Sequence, residues 1–210
     1  RQSQLTPGVG KYSTEAVIRL GGFLSHRIPA RIVCVSEAAR LAHAMIGYDD
    51  QRCVVIPNGF DLDLFRPDPE ARAALRAELA LDAEMPVVGL IARTDPYKDH
   101  ATFIAAAARV RLLYPNAVFV LAGEGADKKN LQLTEMIRGS GLDSAVRLLG
   151  ARRDVARITA SLDVAVSSSA CGEAFSNTLG EALCSGVPVA ATDVGDAALI
   201  VGDTGRIVAP

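Results

Sequence analysis

The sequence predicts an α/β protein built on a parallel sheet with helices on both faces, and three observations carry that expectation. Short β-rich runs alternate with longer helical patterns along most of the chain. The β-rich runs are almost continuously apolar, as strands buried on both faces are. Half of the 210 residues are apolar and 22% are charged, which is enough for a sizeable core.

The first unit comprises a strand at 31–35, a helix from Ser36 to Ile46 with Ser36 as its N-cap, and a strand at 53–56. Pro57-Asn58-Gly59 follows, with Pro67 and Pro69 close behind, so a linker and domain boundary are expected between 57 and 69. An amphipathic stretch occupies 70–80. Regular alternation then begins, with strands expected at Val87–Ala92, Ala117–Ala122, Ala145–Leu149, Asp163–Val166 and Val187–Ala191. In the helical pattern after the first of these, Phe103, Ala107, Val110 and Tyr114 share one face.

Charge and cysteine use exclude several classes. Lys and Arg total 22 against 24 for Asp and Glu, a net charge of −2 that offers no general attraction to nucleic acid. Cys34, Cys53, Cys171 and Cys184 form no C-x-x-C pair and read as free, mostly buried thiols of a reducing compartment. His26, His43 and His100 form no metal-ligand cluster, so no metal is expected, and surface or helix roles are expected for all three. No apolar run approaches the roughly 20 residues of a membrane span, and nothing resembles a signal peptide. The opening at Arg1 and the stop after Arg206–Pro210 read as cuts through a longer protein.

In open parallel sheets, ligands bind beyond the carboxyl ends of the strands. The strand at 87–92 runs into Arg93-Thr-Asp-Pro-Tyr-Lys98, where a guanidinium fork and an ammonium can neutralise a diphosphate. The next strands run into Gly123-Glu124-Gly125, into Gly150-Ala151-Arg152, and into the Ser-rich stretch ending at Gly172-Glu173. A helix beginning near Ser176–Thr178 would aim its free N–H groups at the same rim. Glu181 has two readings: N3 of a capping box begun by Thr178, or a ligand contact from the first turn.

The E-x7-E spacing of Glu173 and Glu181, followed by Gly186-Val-Pro188, resembles the group-1 (GT4-like) retaining glycosyltransferases of the GT-B fold. Arg93 and Lys98 match that family's R-x4-K pair, and Ile56–Asp61 its interdomain linker. The resemblance covers residues 31–210 in order. It implies a Rossmann-like donor-binding domain at 61–210, truncated at its C-terminus, preceded at 1–60 by a remnant of the acceptor-side domain and the linker. By that resemblance Arg93 and Lys98 hold the diphosphate and Glu173 contacts the donor sugar, these three being the catalytic set. Glu181 would hold the ribose, backbone around Phe175, Ser176 and Asn177 the phosphates, and the loop at Ala151 and Arg152 the base. Gly123 and Gly125 would let their loop pass close to the ligand, although a tight turn explains them as well.

The activity so implied is metal- and cofactor-independent transfer of a hexosyl-type sugar from a nucleoside-diphosphate sugar to a saccharide or lipid-linked acceptor. The expected setting is cell-surface polysaccharide or glycolipid assembly in the cytoplasm, with peripheral membrane contact through the absent domain. The acceptor-domain glycine loop and histidine are not in the chain, so the fragment should bind donor better than it turns over. A GT-B sugar-nucleotide epimerase and a non-catalytic nucleotide-sugar-binding module remain alternatives. A dinucleotide oxidoreductase is disfavoured because Gly123-Glu-Gly125 lacks a third glycine, and a P-loop because Gly8-Val-Gly-Lys11 is followed by Tyr12.

Overall fold

A computed structural model describes residues 12–210. The glycine–lysine run at 8–11 therefore lies outside the described residues, as does the start of the expected 1–60 unit.

The described residues begin with helix α1 (Tyr12–Ser25), which is not among the elements expected from the sequence. Strand β1 (Ile32–Cys34), helix α2 (Glu37–Met45) and strand β2 (Cys53–Val55) follow, and the two strands pair in parallel with Ile32 opposite Cys53. Ser36 is the N-cap of α2, its hydroxyl accepting from the Ala39 N–H at 3.0 Å. Residues 56–68 form neither helix nor strand. Helix α3 (Pro69–Glu78) starts where Asp68 caps Ala71 N–H at 2.8 Å, with Pro69 at the position where its missing N–H costs nothing.

The main sheet contains β3 (Val87–Ile91), β4 (Val118–Ala122), β5 (Val146–Gly150), β6 (Val164–Ser167), β7 (Val189–Thr192) and β8 (Arg206–Val208). All neighbours are parallel, in the order β5-β4-β3-β6-β7-β8. Helices α4 (His100–Leu113), α5 (Leu131–Gly139), α6 (Val155–Ala160), α7 (Asn177–Cys184) and α8 (Ala197–Val201) connect the strands. All five expected strands are present, with shifted ends. The largest shift is at β7, which starts at Val189 because the Val187 N–H closes the end of α7 on the Ala182 carbonyl at 2.9 Å.

Strand alternation sorts the core onto two faces. Val118, Val120 and Ala122 of β4 pack with Leu75, Ile158, Leu179 and Val201, from α3, α6, α7 and α8. Phe119 and Leu121 pack on the other face with Phe103, Ile104, Leu133 and Ile137, from α4 and α5. The expected α4 face holds at Phe103 and Ala107, which are buried, but Tyr114 ends the helix and is 57% exposed.

The cysteines are all free; Cys34 is buried, Cys53 and Cys184 are half-buried, and Cys171 is exposed. Burial, with Cys53 adding, pushes the Cys34 thiol up to about 11. Of the surface or helix roles expected for the histidines, His100 has the helix one, opening α4. It is buried, neither ring nitrogen has a hydrogen-bond partner among the described residues, and burial lowers its pKa and keeps it neutral.

Candidate functional site

The chain builds β3, β4 and β5 outward on one side, then returns to lay β6, β7 and β8 on the other. Strands β3 and β6 are therefore neighbours whose following loops diverge, which opens a crevice at their carboxyl ends. The loop after β3 carries Arg93 and Lys98; the loop after β6 carries Glu173. A cleft of about 340 Å³ lies there, lined by Arg93, Lys98, Gly123 and Glu173. Phe175, Ser176, Asn177 and Thr178, at the entry to α7, complete its wall.

The two loops are tied before any ligand is considered. The Ser168 hydroxyl donates to the carbonyls of Lys98 and Asp99 at 2.9 and 3.0 Å, and the Ala170 N–H donates to the Tyr97 carbonyl at 2.9 Å. Lys98 Nζ is ion-paired with Glu173 Oε2, both side chains being largely buried. This pair was not foreseen: the sequence gives each residue a separate contact, whereas the fold uses one to neutralise the other. Arg93 is exposed and makes no ion pair among the described residues, which leaves its guanidinium available to an anion.

Helix α7 starts at Asn177, so Ser176 is its N-cap and Glu181 its fifth residue. The capping-box reading of Glu181 is thereby overturned, as is its placement in the first turn, because N3 is Leu179. Ser176 provides no side-chain cap either; its hydroxyl lies 3.3 Å from that of Thr178. The first N–H groups of α7 thus reach the cleft without a side-chain acceptor, the arrangement that favours an anion. Glu181 is half-buried, and burial alone raises the pKa of its carboxyl, for which no hydrogen bond forms among the described residues.

Gly123 lines the cleft with φ +145°, and a Cβ there would collide with the Ala92 carbonyl. Its need for glycine thus comes first from the neighbouring loop. Gly125 lies beside Thr94 and outside the cleft lining, its carbonyl accepting from Asn130 Nδ2 at 2.9 Å. Ala151 and Arg152 are also off the lining. The Arg152 side chain turns away to Asp154 at 2.6 and 2.7 Å and to Glu78 at 2.8 Å, and holds the Asp154 carboxyl well below the usual range. Their backbone stays linked to the site, because Gly123 N–H donates to the Gly150 carbonyl at 2.8 Å.

Three contacts escaped sequence reasoning. Asn58 Nδ2 donates to Asn177 Oδ1 at 2.8 Å, the Phe60 ring stacks on Phe175 at 6.2 Å, and Phe60 also packs on Gly180. The linker motif was the available signal, but it names no partner. A larger cavity, about 490 Å³, lies between α4 and β6–β8, walled by residues such as Phe103, Val110, Phe119 and Val166. It has no charged lining and cannot hold a diphosphate. Among the described residues no three His, Cys, Asp or Glu side chains group as metal ligands, and no helix is long and apolar enough to cross a membrane.

Comparison with known proteins identifies the family and the fold. The chain is 36% identical over 182 residues to the D-inositol 3-phosphate glycosyltransferase of Nocardia farcinica, covering 82% of this chain and 40% of that protein. It is 33% identical over 174 residues to the GDP-mannose-dependent alpha-mannosyltransferase of Mycobacterium tuberculosis, covering 81% and 41%. The chain thus spans about two fifths of these relatives. The crystal structure of Anabaena Alr3699/HepE in complex with UDP superposes with a TM-score of 0.88 at 28% identity, covering 100% of this chain and 57% of that one. The same protein in complex with UDP and glucose gives a TM-score of 0.86. The expected GT-B-type α/β fold is the observed one. The family model described as "Glycosyl transferases group 1" matches residues 85–210, a span holding Arg93, Lys98, Glu173 and Glu181, and the chain belongs to that family.

Proposed function

We propose that this chain carries the donor site of a retaining, metal-independent glycosyltransferase that moves a hexosyl-type sugar from a nucleoside diphosphate to a hydroxyl acceptor. One observation carries the reading: Arg93, Lys98, Glu173 and the uncapped start of α7 meet in a single cleft at the switch point of the sheet. In this reading residues 61–210 bind the donor, and 1–60 belong to the acceptor side and the linker.

Breaking the bond to the sugar develops negative charge on the departing diphosphate. Arg93, Lys98, the backbone N–H groups of Phe175–Asn177 and those of the first turn of α7 are donors aimed where that charge grows, the arrangement that lowers such barriers most. They supply the neutralisation a divalent ion would otherwise provide. Lys98 must then exchange part of its pairing with Glu173 for phosphate oxygens, which frees Glu173 to accept from sugar hydroxyls. Glu181, four residues along α7 from Asn177, would accept from the ribose. Its desolvated carboxylate gains most from such donors, having no other partner among the described residues. The base would lie against the backbone of Ala151 and Arg152, with Gly123 and Gly125 shaping the loop between. Retention follows if the leaving phosphate takes the acceptor proton on the face it departs from.

The nucleotide seen with the Anabaena relative supports this donor class. The acceptor is assigned to saccharides or lipid-linked saccharides, and the setting to cell-surface polysaccharide or glycolipid assembly at the cytoplasmic face of the membrane. Calorimetric titration with UDP, GDP and ADP tests the reading. One nucleotide should bind, and Arg93→Ala or Glu181→Ala should each weaken it by about 1–3 kcal/mol, the cost of losing a charged hydrogen bond. Failure of all three to bind folded protein would overturn the donor-site reading.

A further inference from the structure

The loop between β7 and α8 joins two distant parts of the molecule through one residue. Asp196 is buried, at 7% exposed. Its carboxylate oxygens accept from the N–H groups of Glu37 and Ala38, each at 2.8 Å, across 159 and 158 positions of sequence. These are the first two residues of α2, and Ser36 takes the third N–H. The start of α2 is therefore capped once from its own segment and once from the far end of the chain. A buried carboxylate there is favoured by two charge-assisted hydrogen bonds and by the helix dipole, and is costly to leave unpaired.

The same residue also holds the candidate site. Asp196 N–H donates to the Ala174 carbonyl at 3.1 Å. Gly195, at φ +64°, lies so close to the carbonyls of Glu173 and Ala174 that a Cβ would collide with both. From the other side the linker grips the same segment through Asn58 on Asn177 and Phe60 on Phe175. The segment 173–177 is thus held on one side by Gly195 and Asp196 of the β7–α8 loop, which caps α2, and on the other by Asn58 and Phe60.

We propose that Asp196 is a positioning residue: it latches α2 to the loop presenting Glu173, so the seating of the first unit sets the geometry of the Lys98–Glu173 pair. Its effect on nucleoside-diphosphate affinity rests on the donor-site reading; the latch itself does not. A mere cap would stabilise α2 and leave the cleft alone. A latch transmits its loss to the cleft.

The test compares the whole chain with Asp196→Ala, Asp196→Asn and Glu37→Pro. Proline is tolerated at the first helical position and removes one N–H that Asp196 receives, leaving the carboxylate in place. Hydrogen–deuterium exchange is followed in peptides covering 37–45 and 171–177, and affinity is measured for whichever of UDP, GDP and ADP binds. With Asp196→Ala, both peptides should exchange about 10-fold faster and the nucleotide bind about 10-fold more weakly, the scale of a charge-assisted hydrogen bond. Asp196→Asn, which keeps one acceptor oxygen, and Glu37→Pro should fall between it and wild type. The double variant should be no weaker than Asp196→Ala alone, because the two changes break one contact. Should Asp196→Ala fail to fold, Asp196→Asn and Glu37→Pro carry the comparison. Faster exchange confined to α2, with 171–177 unchanged, overturns the latch. If wild type binds no nucleotide the donor reading fails, while exchange at 171–177 still decides for or against the latch.

Discussion

In the proposed donor site, Glu181 is a residue that weakens the fold and would serve a ligand. Burial raises its pKa with no compensating partner among the described residues, so its charge is a cost to the ligand-free protein. That cost appears as pH climbs past the ordinary glutamate value and is complete above the raised folded value. Glu181→Gln should therefore make the ligand-free chain more resistant to urea at neutral pH, with no gain at acid pH where the wild-type side chain is already protonated. The same variant should bind nucleotide less well. Urea midpoints at two pH values check the first statement; a variant less stable at neutral pH would contradict it. Arg93, Lys98 and Glu173 were legible in the sequence because each follows a recognisable strand end. Asp196 was not, because its partners Glu37 and Ala38 lie at the other end of the chain and no local pattern marks a cap supplied from so far away.

At the level of elements, the two ends of the sheet behave differently. The carboxyl ends of β3 and β6 carry the cleft, and their amino ends are held by a fixed ion cluster. Asp163, just before β6, accepts from Val87 N–H at 2.7 Å and pairs with Arg72 at 2.6 Å and Arg76 at 2.7 Å. Burial works against its charge, yet these partners hold its carboxyl below the ordinary range. Arg76, at 5% exposed, also donates to the carbonyls of Asp82, Ala83 and Met85. Asp163→Ala should destabilise by about 3 kcal/mol in denaturant titration, because it leaves a buried guanidinium without its counter-charge. A loss below about 1 kcal/mol would place the cluster with solvent-screened pairs. The helix α7 illustrates the limits of local reading. Its start near Ser176 was foreseen, whereas Ser176 forms no side-chain cap and Glu181 lies in the second turn, because the capping-box pattern matched a register one turn fragment late.

Across the whole molecule, the donor reading makes nucleotide binding a stability effect. At about 100 times its Kd, the nucleotide that binds should add about 2.7 kcal/mol to unfolding. Thermal denaturation with and without a chelator checks this, and an unchanged shift is expected if Arg93 and Lys98 neutralise the diphosphate; loss of the shift on chelation would assign that task to a metal. The sequence by itself determined the α/β class, the five central strands, the irregular stretch around 57–69 and the loops that carry Arg93, Lys98 and Glu173. Those features arise from periodicity and turn chemistry, which act between residues close in sequence. Only the tertiary structure decided that Lys98 meets Glu173, that Gly123 answers to Ala92, and that Asp196 and Phe60 clamp the site segment from either side. The physical reason is that these are contacts between different loops of the sheet, set by strand order β5-β4-β3-β6-β7-β8, and strand order leaves no mark on any single segment.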